Sequence, residues 1–68
     1  VQKHNRISEG LTQREKEILG FIAEGTATAE IATTLNVTPD TVRKHLKSIY
    51  AKLGVSSRAD VRQLVKQA

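Results

Sequence analysis

Residues 38–54 read TPDTVRKHLKSIYAKLG, running from Thr38 to Gly54, and they carry the most complete helix signal in the chain. Thr38 offers a side-chain oxygen to an orphan backbone N–H. Pro39 suits the first helical position, where its missing N–H costs nothing, and Asp40 favours the positive helix end. Gly54 closes the stretch with the residue that most easily takes the left-handed conformation of a helix stop. Between these signals, residues placed 100° apart sort into sides. Val42, Leu46, Ile49 and Leu53 fall in one narrow stripe that must face a core. Asp40, Arg43, Lys44, Lys47 and Ala51 stand opposite, with Tyr50 at the edge and Thr41, His45, Ser48 and Lys52 on a flank. The pattern predicts a helix over about 39–53, apolar inward and cationic outward.

Upstream, Asn36 supplies the residue type that best tolerates positive φ after glycine, and Val37 is a lone apolar residue suited to plug the angle between two helices. Before it, Ile31, Ala32 and Leu35 form the inner face of a short helix over roughly 29–35, and the small Ala32 lets a neighbour approach closely. Thr12 stands three residues before Glu15, the spacing of a capping box. Ile18, Leu19, Phe21 and Ile22 then share one side of a helix over about 13–24, with Gly20 inside it and Gly25 as its stop. Downstream, a last helix begins after Ser56-Ser57, with Val61, Leu64 and Val65 as its buried stripe. Residues 1–10 lack any period and are expected to form a flexible arm or linker before a domain over 11–68. No run reads as a strand of more than three residues, so the fold class is all-α with four helices.

Composition bounds what such a domain can be. With 68 residues the chain holds one small domain, and 38% hydrophobic against 26% charged residues is a globular balance. It has no Cys and two His, which excludes a disulfide framework and leaves no structural metal site, so no metal and no cofactor are expected. No apolar run approaches the roughly 20 residues of a membrane span, and no signal-peptide core is present. The chain opens on Val1 rather than Met, so it is expected to be a piece of something longer, resident in the cytosol. Charge is unevenly placed. Residues 9–30 sum to −3 and residues 31–68 to +5, within a total of +4. That asymmetry suits one face for a polyanion and another for something else, although a solvated mixed-sign surface would look the same.

The outward side of residues 39–53 sharpens the choice. Arg43, Lys44 and Lys47 repel one another unless phosphates neutralise them, and one helix carrying such groups fits the major groove of duplex DNA. The preceding short helix and tight turn complete a helix-turn-helix, whose second helix enters the groove. Four features coincide: the small Ala32, the turn at Asn36-Val37, the capped start at Thr38-Pro39, and cations confined to the outward side. The alternative is a basic helical module that docks an acidic protein partner. Catalysis by His45 with Ser48 fails for want of an acid to orient the imidazole, so no enzyme is expected. Phe21 and Tyr50 are too few aromatics for a surface that stacks single-stranded bases.

Leu11-Thr12, Arg14-Glu15, Ile18-Leu19, Ile22-Ala23, Gly25, Glu30-Ile31-Ala32, Leu35, Val37, Thr41-Val42, His45, Ile49, Lys52-Leu53, Val55 and Arg58 closely resemble the LuxR/NarL-type (GerE-like) helix-turn-helix domain. The resemblance covers nearly all of residues 11–65 without gaps. It implies a four-helix DNA-binding domain at the C-terminal end of a bacterial transcription regulator, such as a response regulator, with a receiver or sensor ahead of residue 1. It implies double-stranded DNA as the partner, base contacts from Arg43, Lys44 and Lys47, and Asp40 close enough to accept from a cytosine amino group. Thr28, Thr38, Thr41, His45 and Lys52 are then expected to touch phosphates or fix the recognition helix. The fourth helix, through Ala59, Arg62, Gln63 and Lys66, is the expected dimer face, used weakly and mainly on DNA. RNA polymerase is a further implied partner, and the cytoplasmic nucleoid the implied location. One departure stands out. The family often has Ser-Asn where this chain has Ala27-Thr28, which removes a capping box with Glu30 and shifts the expected cap to Thr28.

Overall fold

The computed structural model describes residues 9–67, and the arm expected over residues 1–8 lies outside them. Four helices follow one another: α1 Gln13–Ala23, α2 Thr28–Leu35, α3 Pro39–Leu53 and α4 Arg58–Gln67, with no strand among the described residues. The chain is all-α, as the periods predicted.

Local chemistry sets the starts. At α1 the Glu15 backbone N–H donates to the Thr12 hydroxyl at 3.2 Å, and the Thr12 N–H donates to Glu15 Oε1 at 2.8 Å, so the capping box forms in both directions. At α3 Thr38 accepts from the Thr41 N–H at 3.2 Å, with Pro39 behind it in the first turn. At α4 Ser57 accepts from the Asp60 N–H at 3.2 Å. α2 is the exception and corrects the sequence reading. Its N-cap is Ala27, which makes no side-chain bond, and the helix begins at Thr28 rather than one residue later. Burial of Ile31 and Ala32 against the core holds the first turn in place of a cap.

The stops repeat one device. Gly25, Asn36 and Gly54 all take left-handed φ values, of 80°, 60° and 70°. After each, the next residue donates back across the last turn: Thr26 to the Phe21 carbonyl, Val37 to Ala32 and Val55 to Tyr50, all at 2.9 Å. This is the Schellman closure, and its usual apolar contact is present at Val37 and Val55, which both pack on the core. The three turns therefore set the helix directions by the same geometry.

Ile18, Leu19 and Ile22 of α1, Ile31 and Ala32 of α2, Val42, Leu46 and Ile49 of α3, and Val61 of α4 make one buried cluster with Leu11. α3 packs against all three other helices, and α4 also packs on α1. Burial of Ala32 matches its assigned role, since a methyl side chain lets α2 and α3 approach closely. α4 is attached more lightly than its apolar stripe predicts. Val61 is fully buried, whereas Leu64 and Val65 are only half-covered.

Candidate nucleic-acid interface

Burying Val42, Leu46 and Ile49 commits the other side of α3 to solvent. Asp40, Arg43, Lys44, Lys47 and Ala51 are all exposed there, in the order the 100° spacing requires. Asp40, Arg43, Lys44, Leu46, Lys47 and Tyr50 line one groove of about 520 Å³ along this helix, with Leu46 and the half-buried Tyr50 as its apolar part. Arg43 Nη1 donates to Asp40 Oδ1 at 2.6 Å, so the one acid on this side is paired with the first cation. On the flank, Thr41, His45 and Ser48 are half-buried. The hydroxyls of Thr38 and Thr41 lie 3.0 Å apart at the start of α3. Thr28 is half-buried as the first residue of α2. Helix starts present unpaired backbone N–H groups as well as side chains, a combination that suits phosphate oxygens.

Lys52 takes one of the two roles expected of it, fixing α3. Its ammonium donates to Glu15 Oε1 at 2.7 Å. The Ser48 hydroxyl donates to Glu15 Oε2 at 2.5 Å, and the Thr12 N–H occupies Oε1 as well. The Glu15 side chain is only 4% exposed. Its bonds to Lys52, to Ser48 and to the Thr12 N–H, in that order, lower its pKa to about 2 against the opposing effect of burial. A buried carboxylate needs such partners, and Lys52 and Ser48 are one helical turn apart on α3, which lets both reach it. α3 is thereby tied to the first turn of α1. Sequence reading took Glu15 only as half of a capping box. The missed signal was its phase: Glu15, Ile18, Leu19 and Ile22 follow the i, i+3, i+4, i+7 spacing of one buried stripe.

A second tie was also missed. Arg58 Nη1, at the start of α4, donates to the Thr26 carbonyl at 2.5 Å and so pins α4 to the turn after α1. The four residues expected at a dimer face, Ala59, Arg62, Gln63 and Lys66, are exposed and line one depression of about 190 Å³ on α4. The Arg62 side chain also reaches back toward the turn after α1. Its guanidinium lies 3.7 Å from where a Cβ on Gly25 would stand. No helix among the described residues is long and apolar enough to cross a membrane.

A short helix, a turn over residues 36–38 and a longer helix with a basic outward side, braced from behind by two others, define a helix-turn-helix DNA-binding domain. Residues 9–65 match the family model described as bacterial regulatory proteins, luxR family, and the chain belongs to that family. The chain is similar to a probable transcriptional regulatory protein SgaR from Hyphomicrobium methylovorum, 47% identical over 51 residues, which are 75% of this chain and 24% of that protein. It is also similar to the HTH-type transcriptional regulators MalT of Klebsiella pneumoniae (strain 342) and Cronobacter sakazakii. Each is 42% identical over 57 residues, which are 84% of this chain and 6% of the relative. The chain thus spans 24% of the first relative and 6% of the other two.

Proposed function

We propose that the chain binds double-stranded DNA sequence-specifically, with α3 in the major groove, as the effector domain of a bacterial transcription regulator working in the cytoplasm. The carrying observation is the common exposure of Arg43, Lys44 and Lys47 on one side of a helix whose other side is locked into the core. Arg and Lys at such positions reach guanine O6 and N7, and the groove admits a single helix. Asp40 lines the same surface groove of α3 as these cations and approaches the bases with them. Thr28, Thr38, Thr41 and His45, with the helix starts that carry them, set the register on phosphates. Two copies pair on a repeated site through Ala59, Arg62, Gln63 and Lys66. That face is polar and cationic, so pairing is weak without DNA. Contacts to RNA polymerase follow from the role of a regulator.

Duplex binding over a salt series tests this reading. A phosphate-dominated contact gives a log–log slope near −0.9 per neutralised phosphate, and a compact interface with an acidic protein gives a shallower one. Arg43→Ala and Lys47→Ala are each expected to cost about 1–3 kcal/mol on the selected site and to relax base preference. Equal losses on selected and random duplexes would refute base reading by α3.

A further inference from the structure

The outward side of α3 contains one carboxylate, and it sits among the cations. Arg43 Nη1 bonds Asp40 Oδ1 at 2.6 Å, and among the described residues Lys44 and Lys47 have no such partner. The Arg43 side chain is 63% exposed and the Asp40 side chain 84%. A pair that open adds almost nothing to stability. For a face that meets phosphates, a carboxylate is also a liability, because it repels them. Raw affinity therefore fails to account for Asp40, and the helix end that favours a carboxylate does not account for its bond to Arg43.

Orientation does account for it. Asp40 is the second residue of α3, a short side chain at the helix end whose positive dipole favours a carboxylate, so its own position is well defined. Arg43 lies one turn on, with a long side chain of many rotamers, and the bond to Asp40 selects among them. Both line the groove that also holds Lys44, Leu46, Lys47 and Tyr50. We propose that Asp40 is a specificity-determining residue that orients Arg43, holding its guanidinium for a two-bond fork on one base edge. The inference rests on base reading by α3.

A guanidinium has five N–H donors, so the bond to Asp40 leaves four, and a fork on guanine O6 and N7 uses two of them. Biased by Asp40, the group swings out less readily to the nearest phosphate, a contact that is available in every sequence. Displacement of water on docking strengthens the pair, because the local dielectric falls. Asp40 thus lowers general affinity and raises base preference.

Selection from a randomised duplex library tests this with the wild-type chain, Asp40→Asn, Arg43→Ala and the double variant, followed by titration of selected and random duplexes. Melting curves set a temperature at which every variant is folded. Asp40→Asn is expected to bind random duplex several-fold more tightly at low salt, since a repulsive charge is gone. At the base pair that Arg43 contacts, it is expected to lose about fivefold or more of the preference. Added to Arg43→Ala, the same change is expected to leave base preference as it is. Wild-type preference in Asp40→Asn would overturn the proposal. So would an equal loss in the Arg43→Ala background, which would mean that Asp40 reads a base directly. A wild-type chain without preference for any duplex would overturn base reading by α3 and the orienting role together. That failure is seen before any substitution is compared.

Discussion

Replacing Glu15 by Gln removes one charge from the tie between α1 and α3 and little else. Gln still accepts the Thr12 N–H at the third helical position, so the capping box survives and the change isolates the carboxylate. That carboxyl ionises at about 2 in the folded chain against an ordinary 4.5. Each tenfold change is worth 1.36 kcal/mol, which makes the difference about 3 kcal/mol at neutral pH. Lys52 keeps 38% of its side chain exposed, and solvent screening brings the figure to about 2 kcal/mol. A domain of 68 residues has roughly 3–10 kcal/mol of total stability, so this is a large share. The folded value lies below the unfolded one. The contribution is therefore complete above about pH 5 and is lost as pH falls toward about 2. Far-UV circular dichroism melts between pH 7 and pH 2 read it directly. At pH 7 Glu15→Gln should melt about 8–16 °C below wild type, and the two curves should converge toward pH 2. Curves that stay parallel over that range would refute the tie. Lys52→Ala should show a similar loss at pH 7, yet the folded variant should keep the wild-type order of duplex preferences. Uniformly weaker binding of selected and random duplexes by the folded variant would return Lys52 to the phosphates.

Other substitutions test separate parts of the fold. Gly20 is exposed within α1, and a methyl group there would meet nothing within 4 Å, so Gly20→Ala should stabilise by about 0.5–1 kcal/mol in urea unfolding. Ala27→Ser should supply the missing cap of α2 and complete a box with Glu30, raising stability by about 1 kcal/mol in the same assay. Val42 is fully buried beneath the cationic side of α3, so Val42→Ala should cost about 1–3 kcal/mol through the cavity it leaves; an unchanged melting temperature would contradict that burial.

Helix ends were the most legible feature in the chain. Thr12 with Glu15, Thr38 with Pro39, and the stops at Gly25, Asn36 and Gly54 act through bonds within a few residues, so the local order of residue types is enough to place them. Ala27 shows where such reasoning errs. With no capping side chain the start of α2 was expected later, but packing of Ile31 and Ala32 decides it, and packing depends on residues distant in the chain. The apolar stripe of α3 was legible for the same reason as the caps, because helical spacing alone separates Val42, Leu46 and Ile49 from Arg43, Lys44 and Lys47.

Partners across the fold were beyond that reach. Glu15 meets Ser48 and Lys52 at separations of 33 and 37 residues, and Arg58 meets Thr26 across 32. Spacing along one helix gives the direction of a side chain but not what another helix brings to it. The sequence thus settled the stops of the first three helices, the starts of α1, α3 and α4, and which side of α3 turns outward, since these follow from interactions between near neighbours. Assembly of the helices assigned Lys52 to a buried carboxylate and left Lys44 and Lys47 without an acid partner among the described residues, because that assignment depends on which groups the packing brings within bonding distance.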